Sequence, residues 1–156
     1  MMVDLIRKQM AAGGLIPVCD LIGMKLEEVE SGQAKVSLDA DGRLWNPFGT
    51  VHGGILCDLA DLAMGLAFMT TLGEGEALAT IELKINFLRP ASEGKLFALA
   101  KVVHRGRSTG FLECEVTNAE GKLLAKAAST CMVVKDGRAE TISAKLGRSE
   151  GGNRSS

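Results

Sequence analysis

The residues best placed to do chemistry stand between Trp45 and Met69, in WNPFGTVHGGILCDLADLAMGLAFM. Asp61 lies there in a run that is apolar on both sides. Leu59, Ala60, Leu62, Ala63, Met64 and Gly65 offer it no cation, and the nearest basic residue downstream is Lys84. A buried, unpaired carboxylate costs several kcal/mol, or its pKa rises until it takes up a proton. Two readings follow. Asp61 meets Arg89, Lys84 or Asn46 from elsewhere and is a satisfied core acid, or it is a carboxylate kept in a dry cleft to activate water or attack an electrophile. Gly53 and Gly54, just upstream, favour the second. They have no side chains to block access, so their N–H groups at a helix start can face a ligand oxygen and stabilise negative charge developing there, which is an oxyanion hole in outline. Taken alone, His52-Gly53-Gly54 also fits a tight turn. Asp58 is three residues from Asp61, about 60° around a helix, and has an ordinary explanation as a first-turn acid favoured by the helix dipole.

The elements that must position these groups can be read from the periodicity. His52 to about Leu72 is the only long helical pattern, rich in Leu, Ala and Met. Before it, residues 3–11 suit a short helix ending at Gly13-Gly14, and MKLEEVESGQAKVSLDA suits a hairpin turning at Ser31-Gly32. After it, ALATIELKINFLRP, KLFALAKVVHRG, TGFLECEVTNAEG and KLLAKAASTCMVV read as four strands joined by short loops, an antiparallel meander. In the first of these, Ile81, Leu83, Ile85 and Phe87 are expected to share one face. A six-stranded antiparallel sheet with one apolar helix has a natural solution, in which the sheet curls around the helix. Its unpaired edge strands then invite dimerisation.

Composition narrows the function classes. A chain of 156 residues, 46% of them hydrophobic, is of single-domain size. We place the domain at residues 1–136 and expect 137–156, which ends GRSEGGNRSS, to be a disordered tail. The apolar stretch Leu59 to Met69 is too short for a bilayer span, which needs about 20 residues, so no membrane association is expected. Arg7, Lys8 and Gln9 interrupt the N-terminus where a signal peptide would be most apolar, which points to a cytoplasmic protein. Eighteen basic residues against nineteen acidic, with no basic block, argue against nucleic acid. Cys19, Cys57, Cys114 and Cys131 are scattered, which fits reduced, packed thiols and no metal site.

The segment N46-P-F-G-T-V-H-G-G-I-L-C-D-L-A-D61 closely resembles the Asn-x-x-Gly-x-x-His-Gly-Gly segment, with Asp eight residues after the first paired glycine, of hotdog-fold acyl-CoA thioesterases of the phenylacetate-degradation type, within the 4-hydroxybenzoyl-CoA thioesterase-like superfamily. The likeness extends to INFLRP at Ile85 to Pro90 and to RGRSTG at Arg105 to Gly110, and covers about residues 23–134. It implies an α+β hotdog fold, a six-stranded antiparallel sheet wrapped around one long central helix. It also implies a homodimer paired strand to strand, with a dimer of dimers as a further assembly and active sites at the subunit interface. By the same resemblance Asp61 is the catalytic carboxylate, acting across that interface on a thioester whose carbonyl is held by the Gly53 N–H. Asn46 matches a position that places the carbonyl or the reacting water, His52 one beside the sulfur, and Thr80 one whose hydroxyl holds water. Thr80 equally suits a strand on propensity alone.

Hydrolysis of a thioester needs a nucleophile or base, a donor for the carbonyl oxygen and a dry cleft. It needs little help for the leaving group, because a thiol of pKa about 8.5 leaves readily as thiolate. Coenzyme A enters as part of the substrate and no further cofactor is implied. Its phosphorylated end has candidate partners in Arg89, Arg105, Arg107 and Ser108, with Gly54 near the thioester; exposed arginines are also commonly just solvated. Two rival functions use the same fold, a hydratase or dehydratase pairing His52 with Asp61, and a non-catalytic acyl-thioester-binding domain. The Asp-to-His spacing and the His-Phe-Pro segment of the first are absent, and no DNA-binding appendage precedes residue 20 for the second.

Overall fold

The computed structural model describes residues 2–135; the tail expected over 137–156 lies outside them. Ten elements follow in order: α1 Met2–Ala12, α2 Pro17–Ile22, β1 Met24–Glu30, β2 Gln33–Ala40, a 3-10 turn Gly42–Leu44, α3 Gly53–Met69, β3 Ala77–Phe87, β4 Gly94–Arg105, β5 Thr109–Asn118 and β6 Leu123–Val134. The strands form one antiparallel sheet in the order β1-β2-β4-β5-β6-β3. Helix α3 packs against all six. This is the hotdog fold, in the α+β class expected from the sequence.

Helix α3 is apolar on most of its circumference because it is the core. Leu56, Leu59, Ala60, Ala63, Met64, Leu66, Ala67 and Phe68 are all buried. The strands meet it with small residues, among them Ala34, Ala98, Ala100, Ala125 and Ala127, which let the sheet close around it. Gly110 on β5 is the extreme case, since a Cβ there would overlap the Phe68 ring. The helix stops at Met69, short of the expected Leu72. The Thr70 and Thr71 hydroxyls donate back to the carbonyls of Ala67 (2.6 Å) and Phe68 (2.7 Å), and the Gly32 N–H of the β1–β2 turn donates to Thr70 Oγ1 at 2.7 Å.

Three further features depart from the sequence reading. The expected four-strand meander is only partial: β4, β5 and β6 are neighbours in chain order, but β3 pairs with β6 and not with β4, and so forms the far edge of the sheet. Helix α2 was not expected, although Pro17 stands in its first turn and Gly23 (φ 87) closes it, the usual pair of end signals. In β3 a bulge falls between Thr80 and Glu82, which pair with the adjacent residues Cys131 and Thr130 of β6. Ile81 is therefore an extra residue, 55% exposed, and does not share the face of Leu83, Ile85 and Phe87. The sheet's two edges also differ: β1 is flanked by α1 and α2, whereas β3 carries the exposed Ile81 and Phe87. Among the described residues no helix is long and apolar enough to cross a membrane.

Candidate active site

The loop ahead of α3 is built by Asn46. Its Oδ1 accepts from the N–H groups of Phe48 (2.9 Å) and Thr50 (3.3 Å), and its Nδ2 donates to Thr50 Oγ1 at 2.9 Å. Gly49 turns there with φ 76, and the bridge between Trp45 and Val51 closes the loop. The Val51 N–H donates to the Ala91 carbonyl (2.7 Å) and the His52 N–H to the Leu44 carbonyl (2.8 Å), fixing the entry to the helix. Asn46 thus stands beside the helix start with its amide largely engaged in shaping the loop.

His52 is the N-cap of α3, and its Nδ1 accepts from the Gly54 N–H at 2.9 Å. A neutral ring in that arrangement carries its proton on the exposed Nε2. This corrects the expectation that both glycine amides face a ligand: the Gly54 N–H is already taken by His52. The Gly53 N–H, with no helical carbonyl four residues earlier to bond, has no partner among the described residues. The Phe87 ring lies against Gly53, and a Cβ there would be only 3.0 Å from its tip. An amide free to bind an oxyanion therefore has an apolar wall beside it.

Farther along α3, half-buried Asp61 receives the Thr80 hydroxyl on Oδ1 at 3.0 Å. No basic side chain pairs with it among the described residues. The three groups that could have made it a satisfied core acid are elsewhere: Arg89 donates to the Leu123 carbonyl (2.9 Å), Asn46 serves its own loop, and Lys84 pairs with Ala128 away from the helix. One turn earlier, half-buried Asp58 has its pKa raised, chiefly by burial and secondarily by the charge of Asp61. Two carboxylates thus stand on one side of an apolar helix without a cation to neutralise them.

The expected coenzyme A contacts divide. Arg89, Arg107 and Ser108 are exposed. Arg105 is turned inward: its Nε donates to Thr71 Oγ1 (3.2 Å), its guanidinium is 3.5 Å from Glu76 Oε2, and it stacks on Phe68 with 5.1 Å to the ring centre. It braces the end of α3 against β4 and has little left to offer a phosphate, a correction to its expected role. Burial disfavours the reactive thiolate at all four cysteines. Burial holds the thiols of Cys19 and Cys114 up at about 11 and about 12, and raises Cys57 and Cys131 as well.

A sheet curled round one helix, with a free amide at the helix start and a carboxylate farther along, is the arrangement expected of a hotdog thioesterase. The chain belongs to the thioesterase superfamily, whose profile matches residues 48–125, and is a thioester hydrolase. It is 31% identical over 116 residues to the 1,4-dihydroxy-2-naphthoyl-CoA hydrolase of Listeria monocytogenes, a match covering 74% of this chain and 94% of that one. The proofreading thioesterase EntH of Klebsiella pneumoniae is 29% identical over 65% of this chain and 74% of its own length. Among solved structures, the PaaI protein from the phenylacetic acid degradation operon of E. coli superposes with a TM-score of 0.76 at 26% identity, covering 86% of this chain and 96% of that one.

Proposed function

We propose that the protein is an acyl-CoA thioesterase, hydrolysing an acyl or aryl thioester to the free acid and coenzyme A, with Asp61 as the catalytic carboxylate and the Gly53 N–H as carbonyl donor. The observation that carries this reading is Asp61 itself, half-buried on an apolar helix with a hydroxyl beside it and, among the described residues, no cation. Asp61 supplies the oxygen nucleophile, directly or through a water it deprotonates. The new C–O bond forms at the carbonyl carbon, charge collects on the carbonyl oxygen at the Gly53 amide, and the C–S bond breaks with departure of the thiolate. On the direct route water then opens the resulting mixed anhydride, releasing the acid and restoring the Asp61 carboxylate. On the water route the acid is released in the same step and Asp61 gives up the proton it took. No cofactor takes part. The relatives named for a naphthoyl-CoA hydrolase and a proofreading thioesterase support the substrate class.

Distance supports a site shared between two subunits. Gly53 and Asp61 are eight residues apart on α3, about 12 Å along the axis. A carbonyl oxygen within about 3 Å of its donor and a carbon about 3 Å from its nucleophile span far less. That spacing argues against one protomer bringing both groups to one thioester. A second copy added along the uncovered edge of β3 would supply the missing half, which makes a homodimer the working unit and leaves a dimer of dimers as a further assembly. Arg89, Arg107 and Ser108 remain the candidates for the phosphorylated end of coenzyme A, and a cytoplasmic setting suits such a substrate.

The test is thiol release from a panel of acyl-CoAs. Wild-type protein should release thiol, and Asp61→Asn, folded to the same melting temperature, should lose about 10²- to 10⁴-fold in rate. Release unchanged in that variant would remove Asp61 from the mechanism, and an enoyl absorbance change without thiol would mark a hydratase instead.

A further inference from the structure

Ser129 on β6 is fully buried, faces the helix opposite Leu83, and donates its hydroxyl to the Glu82 carbonyl at 2.8 Å. Glu82 directly follows the bulged Ile81. The inward-facing residues of β6, Val133, Cys131, Ser129, Ala127 and Ala125, pair in turn with Leu78, Thr80, Leu83, Ile85 and Phe87. Even positions of β3 therefore point inward before the bulge and odd positions after it. An unbroken strand with Leu83, Ile85 and Phe87 packed on the helix side would point Thr80 to the opposite face, away from Asp61. The one-residue slip is what lets Thr80 reach Asp61 at 3.0 Å.

We infer that Ser129 is a positioning residue for the reaction: by holding the Glu82 carbonyl it pins the bulge, and the bulge aims the Thr80 hydroxyl at Asp61. A bulge interrupts the ladder, and a hydrogen bond from a buried hydroxyl to the carbonyl beside it holds the slip at that place along the strand. A buried serine among alanines, cysteine and leucine has a specific reason to be present if it keeps the slip between Thr80 and Glu82. Cys131 lies between the two hydroxyls, 3.9 Å from Ser129 Oγ and 4.0 Å from Thr80 Oγ1, so the three side chains form one row under the site.

This inference rests on Asp61 being the catalytic carboxylate, and a double-mutant cycle separates the two. Ser129→Ala should lower kcat about 3- to 30-fold with little change in KM. In a Thr80→Val background the same substitution should lower kcat no further, because the hydroxyl it aims is already gone. The loss in melting temperature should be equal in both backgrounds. Should Ser129→Ala not fold, Ser129→Cys, which keeps the volume and a weaker donor, gives the same cycle with a smaller effect. An unchanged kcat in the serine variant, or an equal loss with and without the Thr80 hydroxyl, would overturn the inference. Activity retained in Asp61→Asn would instead remove the reading beneath it.

Discussion

Asp61 and Asp58 show how neighbouring groups on one helix take different parts. Asp61 has the Thr80 hydroxyl as its partner, whereas Asp58 has burial and a like charge pressing on it and, among the described residues, no hydrogen-bond donor to relieve them. A carboxyl whose pKa is raised in the fold binds protons more readily folded than unfolded. Its contribution to stability is then complete at low pH and is lost as the pH climbs from the ordinary carboxylate range through the raised value. Asp58→Asn should therefore raise the melting temperature slightly at about pH 7 and leave it unchanged below about pH 3, where Asp58 is protonated in both states. Thermal melts of the two proteins at those two pH values check it; an advantage that persisted in acid would show that charge is not the cause. Asp61 stood out in the sequence because an acid among Leu, Ala and Met has few ordinary explanations. His52 was legible as a site neighbour but not as the N-cap that takes the Gly54 amide, because the preference for Ser, Thr, Asp and Asn at that position gives histidine no signal.

Among the elements, α3 and the sheet are matched at single positions. Phe68 reaches β5 only because Gly110 has no side chain, and Arg105 lies over the ring. Gly110→Ala should destabilise the fold by about 1–3 kcal/mol through overpacking, measured by urea denaturation, and Phe68→Leu in the same chain should restore part of the loss by emptying that space. Full stability in the single variant would contradict the close packing. All six strands and the long helix could be read from alternation, turn residues and helical periodicity, since those patterns are local. The bulge could not. ATIELKINF alternates cleanly enough to be one regular strand, and only its pairing with β6, with Ser129 opposite, shows that Ile81 is the extra residue. Helix α2 went unread although Pro17 and Gly23 are end signals for it, because it is too short to show a hydrophobic period.

At the level of the whole molecule, the two edges of the sheet differ in what covers them. β1 has helices alongside, while β3 carries exposed Ile81 and Phe87 on an unpaired edge, and the Phe87 ring is the one that lies on Gly53. Pairing along that edge would bring each subunit's helix start toward the other's Asp61, so assembly and catalysis become one question. Strand order and the uncovered edge come from the three-dimensional arrangement, which no local pattern in the chain encodes. The direct test is subunit complementation. Asp61→Asn and Gly53→Val proteins, each inactive toward an acyl-CoA that the wild type hydrolyses, are unfolded, mixed in equal amounts and refolded together. Random pairing makes half the dimers mixed, and each mixed dimer has one intact site of two, so about a quarter of wild-type activity should return. A mixture as inactive as its parents, with mixed dimers demonstrably present, would place Asp61 and Gly53 in the same protomer's site and contradict the shared active site.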